Sequence, residues 1–385
     1  MNLLVISHKE TWKSKNSPND YRTIGGFPFQ MESLSKIFKS TTIMVPIRDT
    51  PRPKGLLPII GSNLSVFPLE EPKGTDLRRK MSMLLWIPKN IGKIWKQVYL
   101  ADVIHTPVGG DIGFIGIIIS LIQKKKLFIR HCGNWRQSVS LVDRILHILL
   151  EKIAGRMAIV MATGGGGTSP SRKNKNISWI FATTLEEDEI YQRRSYKDKI
   201  YTNKKLRLIS VGRLSSGKNV ENIIRALPHI IKDTENIFLD VVGDGPEMQR
   251  LINVSNRMHL NQYVKFHGNV SHEIVLDLFS KAILFIFPTK SEGFPKVLIE
   301  SMANGVPIIS TRVSVIPTII ENKCGVILDN SDSDTLAKVT IDLLSNKDRL
   351  IEMSKRAEAI SKEYTLEKWG KTIKVQLEKS WGPLR

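Results

Sequence analysis

The chain has 385 residues, enough for two domains of ordinary size, and its 57 basic and 37 acidic residues leave a net charge of +20. A hydrophobic content of 41% excludes a disordered chain, and two distant cysteines, Cys132 and Cys324, exclude a disulfide scaffold and a cysteine-clustered zinc site. The first residues lack the features of a signal peptide, and the most apolar later run, 112–122, is about half of the roughly 20 residues that a membrane span needs. We therefore expect a cytoplasmic protein with reduced thiols.

The positive charge is concentrated in the first half of the chain. Residues 1–180 contain 27 basic and 11 acidic residues, whereas the remainder contains 30 and 26. This asymmetry predicts an anionic partner for the first half, and nucleic acid and an acidic membrane face both qualify. A basic surface that serves only solubility is the alternative.

The first half shows a loose alternation of strands and helices. The pair Gly25-Gly26 precedes a helix, where backbone can approach a ligand closely, although a plain loop is equally compatible. His131 and His105 each end a predicted strand, so either could face a ligand, although a structural role is commoner for a lone histidine. The predicted strands are 3–7, 42–46, 103–105, 127–130 and 158–161, and the predicted helices are 29–38, 112–122 and 141–153.

Two further segments of the first half have more than one interpretation. Residues 78–96 mix basic and aromatic side chains, which is typical of a helix on a membrane surface, and Pro88 is expected to kink or split it. A core-facing helix with a basic outer side is the alternative. The glycine run 164–167 is interpreted as a mobile loop rather than as a phosphate cradle.

The second half alternates strands and helices regularly, which favours a doubly wound parallel sheet whose ligands bind beyond the carboxyl ends of the strands. We place one domain at 1–183, joined by a C-terminal helix at 364–385, a linker at 184–205 and a second domain at 206–363. The predicted strands of the second domain are 206–212, 237–242, 264–268, 283–287, 307–310 and 325–328.

Two strand–turn–helix segments of the second half contain charged residues at positions suited to ligand binding. The loop after the first strand places Arg213 and Lys218 five residues apart, where both cations can reach one diphosphate. Its glycine and lysine order differs from that of a P-loop, which disfavours an ATPase.

In the later segment, Glu292 lies on a turn and Glu300 lies inside the following helix. Amides at the helix start can bind a phosphate, while the carboxylates accept hydrogen bonds from sugar hydroxyls. The two segments together predict a nucleotide-sugar site.

The ordered motifs VGRLSSGKN, VVGDGPE, VKFHGNV and EGFPKVLIE, followed by ANGVPII, resemble those of the retaining glycosyltransferases of family 4. That family has the GT-B fold, in which two Rossmann-like doubly wound parallel-sheet domains face a deep interdomain cleft. The motifs lie between residues 206 and 328, and the first half matches mainly in layout.

The resemblance implies a role for each matching residue. Arg213 and Lys218 would neutralise the donor diphosphate, Glu292 would hold hydroxyls of the donor sugar, and His131 would contact the transferred sugar. These four are the predicted catalytic residues. The predicted donor-binding residues are the ribose ligand Glu300 and backbone or neighbouring positions at Gly26, Gly268, Val270, Gly293, Phe294, Val297 and Leu298.

The resemblance also implies that no metal and no cofactor are needed. Cations and a helix dipole stabilise the leaving phosphate, which in retaining members helps to deprotonate the acceptor, so no enzymic nucleophile is required. The pair Asp332 and Asp334 is interpreted as a helix start rather than as a metal site.

We expect a transferase that moves a sugar from a nucleotide-diphosphate-sugar to a lipid-linked glycan acceptor. The expected setting is bacterial surface polysaccharide (capsule, O-antigen or exopolysaccharide), with peripheral contact to the anionic cytoplasmic face of the inner membrane. The alternatives are a GT-B nucleotide-sugar epimerase or phosphorylase, and a non-enzymic, basic nucleic-acid-binding protein. Since no nucleic-acid-binding module is recognised, the last alternative is disfavoured, and nucleic acid is not an expected partner.

Overall fold

The computed structural model describes all residues except 15–19, 54, 75, 109, 133–134, 136–140, 165–168, 182, 189–204 and 321–322. The described residues form two compact units, Met1–Thr184 with Leu366–Arg385 (unit 1) and Leu185–Thr365 (unit 2). Most of the predicted linker, 184–205, lies outside the described residues.

Unit 1 is built on a parallel sheet of seven strands in the order β10-β9-β8-β7-β1-β4-β6. Its central strands are almost entirely buried because helices cover both faces, which explains their continuous apolar runs. A small antiparallel sheet, β2-β3-β5, accompanies it. The strands are β1 (Asn2–Ile6), β2 (Thr11–Lys13), β3 (Tyr21–Thr23), β4 (Ser40–Pro46), β5 (Leu57–Pro58), β6 (Leu64–Leu69), β7 (Val103–Val108), β8 (Lys126–His131), β9 (Ala158–Ala162) and β10 (Ser178–Trp179).

The helices of unit 1 cover the sheet in two layers. One layer shares a hydrophobic core with one face of the sheet, and it consists of α2 (Asp76–Leu100), α3 (Asp111–Ile122) and α4 (Leu141–Ile153). The other layer consists of α1 (Phe27–Ser35) and the C-terminal helix Leu366–Trp381. Hydrogen bonds from the Met1 amino group to Leu384 O (2.6 Å) and from Ser33 Oγ to Leu366 O (3.2 Å) hold the C-terminal segment on unit 1.

Pro88 does not split α2, which runs without interruption over 25 residues. A proline removes one backbone hydrogen bond and usually breaks a helix in the absence of compensating contacts. Here α2 buries Trp86 before the proline and Ile94 after it, while Pro88 itself is exposed. Tertiary packing on both sides therefore holds the helix together.

Unit 2 is a parallel sheet of six strands in the order β13-β12-β11-β14-β15-β16. The chain runs outward from β11 in one direction and then continues from β14 in the other, so the point between these strands is the topological switch point. The strands are β11 (Leu206–Val211), β12 (Ile237–Val242), β13 (Val264–Gly268), β14 (Leu284–Phe287), β15 (Ile308–Thr311) and β16 (Gly325–Leu328).

Seven described helices flank this sheet. They are α5 (Val220–Asp233), α6 (Met248–Arg257), α7 (His272–Lys281), α8 (Lys296–Ala303), α9 (Ile316–Ile320), α10 (Ser333–Ser345) and α11 (Lys347–Ser361). Asp332 caps α10 by accepting a hydrogen bond from Thr335 N (2.7 Å), which confirms that this acidic turn starts a helix. Two doubly wound parallel sheets confirm the predicted fold class.

Candidate functional site

The predicted donor site of unit 2 lies at the switch point of its sheet. The loops that follow β11 and β14 leave neighbouring strands, and Lys290 N donates to Gly217 O across them (2.8 Å). The side chains on the two loops are therefore brought together by the strand order, at the position where parallel sheets of this kind bind ligands.

Lys218 and Glu292 form an ion pair at this point. Lys218 ends a short 3₁₀ turn, Ser216–Lys218, and its Nζ donates to Glu292 Oε1. The same ammonium lies 5.1 Å from the centroid of the Phe287 ring. Because the lysine and glutamate side chains are 21% and 12% exposed, the pair is held among protein atoms but remains open on one side. An ammonium has three donors and a carboxylate about four acceptor positions, so both groups retain capacity for a ligand.

Thr289 holds this pair in place, and the sequence analysis missed it. The residue is fully buried, and its Oγ1 lies 3.1 Å from Glu292 Oε1 and 3.4 Å from Gly217 O. Its own carbonyl accepts a hydrogen bond from Thr311 Oγ1. The only signal in the sequence was a polar residue directly after the apolar strand β14 and Pro288.

The start of α8 and the turn before it offer backbone N–H donors at some of the predicted donor-binding positions. Leu298 N donates to Pro295 O (3.0 Å), so this amide is already engaged. The amides of Val297 and Gly293 have no hydrogen-bond partner among the described residues. Of the predicted donor-binding positions at this turn, Val297 and Gly293 therefore have N–H groups that are open to a ligand.

The turn itself is anchored from two sides. Ser314 Oγ donates to Gly293 O (3.0 Å), and the Phe294 ring packs on Tyr364 with its centroid 6.1 Å away. These contacts fix the backbone that presents Glu292 and the two amides. Phe294 therefore contributes packing through its side chain, and its predicted role in donor binding rests on its backbone.

Glu300 belongs to a second cluster. It is 7% exposed in the interior of α8, and its Oε1 lies 3.2 Å from His272 Nε2. His272 is the first residue of α7 and follows the loop that carries Gly268 and Val270. The structure thus joins the predicted ribose ligand to the loop that carries the predicted donor-binding positions Gly268 and Val270, through His272, which was not singled out in the sequence.

Two glycines allow the loop after β12 to pack closely on the loop after β11. A Cβ on Gly243 would lie 2.0 Å from Gly212 O, and a Cβ on Gly245 would lie 2.3 Å from Leu214 O. Only glycine allows so close an approach, and Gly243 also has a positive φ of 125°. Hydrogen bonds from Gly243 N to Gly268 O (2.9 Å) and from Leu214 N to Asp244 O (3.0 Å) complete the contact. The two glycines therefore shape the loops.

Arg213 is not joined to the Lys218–Glu292 pair. Its side chain is exposed and has no hydrogen bond or ion pair with the described residues. Of the two predicted diphosphate cations, the structure places only Lys218 in a defined cluster.

His131 in unit 1 ends strand β8, as predicted, and belongs to an aromatic cluster. Its Nε2 lies 3.1 Å from His147 Nε2, and the Trp135 ring is stacked on His147 and perpendicular to His131, with centroids 5.0 Å apart in both cases. Trp135 Nε1 donates to Glu151 Oε1 (3.2 Å). His147 and Trp135 were not singled out in the sequence.

His105 does not compete for the role of His131, because β7 continues to Val108 and leaves His105 in the middle of the strand. The residue is fully buried, its ring is stacked on Phe128, and its Nδ1 lies 3.0 Å from Phe128 O. Burial and the charge of Arg130 lower the pKa of His105 to about 3, although the hydrogen bond to Phe128 O acts in the opposite direction and raises it. His105 is a neutral core residue.

The predicted glycine pair stands at the start of α1. Gly26 is the N-cap residue, and Gly25 has a φ of 72° with open space where a Cβ would lie. The structure therefore leaves room for close approach at this turn. The other glycine run, 164–167, falls mostly outside the described residues.

Comparison with known proteins finds glycosyltransferases that resemble this chain. A family model described as glycosyl transferases group 1 matches residues 192–361. The chain is 27% identical over 203 residues to N-acetyl-alpha-D-glucosaminyl L-malate synthase from Bacillus anthracis, a match that covers 51% of this chain and 52% of that protein. It is 26% identical over 170 residues to a GDP-mannose-dependent alpha-(1-6)-phosphatidylinositol monomannoside mannosyltransferase from Mycobacterium tuberculosis, covering 42% and 43%. The chain thus spans about half the length, or less, of these curated relatives.

Solved structures resemble the whole chain. HepE from Anabaena, solved with UDP and glucose, has a TM-score of 0.67 at 15% identity and covers 98% of this chain and 99% of its own. WaaG, a glycosyltransferase involved in lipopolysaccharide biosynthesis, has a TM-score of 0.65 at 13% identity. This match covers 97% of this chain and 98% of WaaG. The fold is the GT-B fold, and the chain carries a glycosyltransferase domain of group 1.

Proposed function

We propose that this protein transfers a sugar from a nucleotide-diphosphate-sugar to a glycan acceptor, with retention of anomeric configuration. The observation that carries the proposal is the Lys218–Glu292 pair beside the two open amides of Gly293 and Val297, at the switch point of a parallel sheet. On two adjacent loops, this arrangement offers a cation and N–H donors to a phosphate, and a carboxylate to hydroxyl groups.

The chemistry follows from where charge develops. When the anomeric C–O bond breaks, negative charge collects on the leaving phosphate and positive charge on the sugar. Lys218, the Val297 amide and the dipole of α8 stabilise the phosphate, and Glu292 holds the sugar hydroxyls. The leaving phosphate accepts the proton of the acceptor hydroxyl on the same face, so no enzymic nucleophile takes part.

The remaining predicted residues have supporting roles in this scheme. Glu300, held by His272, binds the ribose, and the Gly268–Val270 loop binds the base. Arg213, whose guanidinium is exposed, reaches the diphosphate from the solvent side. Gly26 and His131 lie in unit 1, and their predicted roles, approach to the phosphate and contact with the transferred sugar, stay predictions. We propose that these protein cations stand in place of a metal ion.

The acceptor is proposed to be a lipid-linked glycan of bacterial surface polysaccharide synthesis. WaaG acts in lipopolysaccharide biosynthesis, and the mycobacterial relative acts on a phosphatidylinositol mannoside, so two of the proteins that this chain resembles are named for lipid-linked products. In the described part of the chain, no helix has the length and apolarity that a membrane crossing needs. We propose that the protein contacts the cytoplasmic face of the inner membrane peripherally.

The donor is tested by calorimetric titration of the purified protein with UDP-, GDP- and ADP-sugars. We expect saturable heat with at least one of them, unaffected by a chelator. NMR of the product then reports the anomeric configuration. Absence of binding to every nucleotide, together with tight salt-dependent DNA binding, would overturn the transferase proposal in favour of a nucleic-acid-binding protein.

A further inference from the structure

Exposed apolar side chains are concentrated on one side of unit 1. The described residues include 16 exposed large hydrophobic side chains, and 11 of them lie on α2, α3 and α4. These three helices share one hydrophobic core and cover the same face of the sheet, so their solvent side forms one surface, which we call the outer layer. Concentrated apolar exposure of this kind marks a contact surface rather than ordinary scatter.

Helix α2 has two apolar faces. One face is buried and comprises Met83, Trp86, Ile94 and Val98. The other is displaced by one residue, or about 100° around the helix axis, and comprises Leu84, Ile91, Trp95 and Tyr99, of which Leu84 is 73% and Tyr99 70% exposed. A helix that only covers a core needs one apolar face. The second face is therefore free for a partner.

The second face continues onto α3. Gln123 Nε2, just after α3, donates to Trp95 O (3.1 Å), and Lys125 Nζ donates to Tyr99 O (2.6 Å). The ends of the two helices are thus adjacent, and Ile122 at the end of α3 is 61% exposed there. Trp and Tyr are the side chains best suited to a boundary between apolar and aqueous phases, because each has a large ring and a polar atom.

The charges beside this face are positive. Lys89, Lys93 and Lys96 are exposed on α2, and none of them forms an ion pair with the described residues. At 3.6 residues per turn they lie together on the side of the helix next to the exposed apolar face. An apolar face bordered by unpaired lysines matches a layer of hydrocarbon beneath anionic headgroups.

We propose that the outer layer of unit 1, centred on the exposed face of α2, docks onto a lipid bilayer with anionic headgroups. The proposal rests on the membrane contact included in the proposed function, and it names the surface that makes this contact. A second copy of the chain is a poorer occupant, because it would bring the same lysines against one another without acidic partners. Leu84, Trp95 and Tyr99 enter the headgroup region while the lysines contact phosphates.

Vesicle flotation of the full-length protein tests the proposal, with vesicles of phosphatidylcholine alone or mixed with phosphatidylglycerol. We expect recovery only with the anionic vesicles. The triple variant Leu84→Ser, Leu85→Ser, Tyr99→Ser removes side chains that are 73%, 74% and 70% exposed, so it leaves the core intact, and we expect at least tenfold weaker binding. The matched control, Ile60→Ser, Ile274→Ser, Val375→Ser, changes side chains that are 60%, 46% and 58% exposed elsewhere and should bind like the unchanged protein.

Charge is tested separately. Replacing Lys89, Lys93 and Lys96 by Gln should weaken binding to anionic vesicles by about a hundredfold, since each lysine near such a surface contributes about fivefold. Replacing Lys265, Lys338 and Lys355, which are exposed on unit 2, by Gln is the matched control and should have no such effect.

The outcomes separate this proposal from the proposed function. Equal recovery with neutral and anionic vesicles, or wild-type binding by the serine variant, would overturn it. A dimer in light scattering that the serine variant abolishes would assign the surface to a second copy instead. Titration of the same preparations with nucleotide sugars gives an independent result, because the outer layer contains no residue of the donor site.

Discussion

The two units share one architecture but differ in what they expose. Unit 2 contributes only Ile274 to the 16 exposed large hydrophobic side chains of the described residues, and unit 1 contributes the other 15. Charge differs in the same sense, since residues 1–180 carry 27 basic against 11 acidic residues and the remainder is nearly balanced. A doubly wound sheet can therefore support two tasks, a ligand site in one copy and a contact surface in the other.

The difference extends to the loops. In unit 2, glycine contacts and backbone hydrogen bonds tie the loops after β11, β12, β13 and β14 to one another, and Lys218, Glu292 and Glu300 have defined partners there. In unit 1, the outer face of α2 has exposed apolar side chains and three lysines, Lys89, Lys93 and Lys96, that form no ion pair with the described residues. Preorganised loops suit chemistry, whereas an open face suits reversible contact.

The largest expected effect is that of Lys218→Ala. Removing the cation that pairs with Glu292 should lower turnover by at least about a hundredfold, because one preorganised electrostatic group contributes that much to a charged transition state. Steady-state kinetics with the identified donor measures it. Lys290→Ala, which removes an exposed charge in the adjacent loop, is the control and should retain most activity.

This variant also tests whether the ligand site and the vesicle-binding surface lie in different units. Vesicle binding by Lys218→Ala should match that of the unchanged protein. A parallel loss of vesicle binding would show that the two tasks are not divided between the units.

Gly243→Ala should destabilise unit 2 by roughly 2 kcal/mol or more, because the residue has a φ of 125° and its Cβ would meet Gly212 O at 2.0 Å. Thermal unfolding measures this loss. Gly217→Ala is the control, since its Cβ would meet only Ser215 Oγ at 4.0 Å. Equal stability of the two variants would contradict the interlocking of the loops.

Thr289→Val should lower kcat/KM by about tenfold, because a buried hydrogen bond to the charged Glu292 is lost while the shape of the side chain is kept. Thr289→Ser should restore most of the activity, since it returns the hydroxyl. Thr289 is a positioning residue, and a serine variant as poor as the valine variant would show that the methyl packing, not the hydroxyl, matters.

The last expected effect, which is negligible at neutral pH, concerns His105 and the pH dependence of stability. Its folded pKa of about 3 lies below the ordinary value of 6.5, so below pH 6.5 the unfolded chain binds a proton that the folded chain does not. Stability should therefore fall by ~1.4 kcal/mol for each pH unit below 6.5, until the folded pKa is reached.

His105→Leu should remove this part of the slope, as measured by denaturant unfolding of the full chain at several pH values. His8, whose pKa burial also lowers, contributes a slope that both proteins share. An unchanged slope in the leucine variant would show that His105 is protonated in the folded state.

Much of the fold followed from periodicity. The apolar runs that became β11, β12 and β14 are bounded by Gly and Pro, and local composition alone marks such strands. Strand ends were less predictable, as β7 shows, because Thr106, Pro107 and Val108 extend it only through pairing with β8. Likewise, Pro88 predicted a kink or a split in α2. The helix is continuous because residues on both sides of the proline are buried.

The sequence by itself determined which residues are available for the chemistry. Arg213, Lys218, Glu292 and Glu300 were apparent because each stands at a fixed offset from a strand or a helix start, and such offsets are local properties of the chain. The spacing of apolar residues along α2 likewise defines its second apolar face.

Only the tertiary structure decided which of these residues meet. Strand order placed the loops after β11 and β14 side by side, which paired Lys218 with Glu292 and left Arg213 apart. Packing within each unit also gave Thr289, His272 and His147 their partners, which lie 3, 28 and 16 residues away in the chain. Thr289 is close enough to Glu292 in the sequence to have been suspected as its partner, but the sequence does not show that Thr289 is buried. Partner choice depends on distances between separate elements, and those distances are set by the packing of the whole sheet.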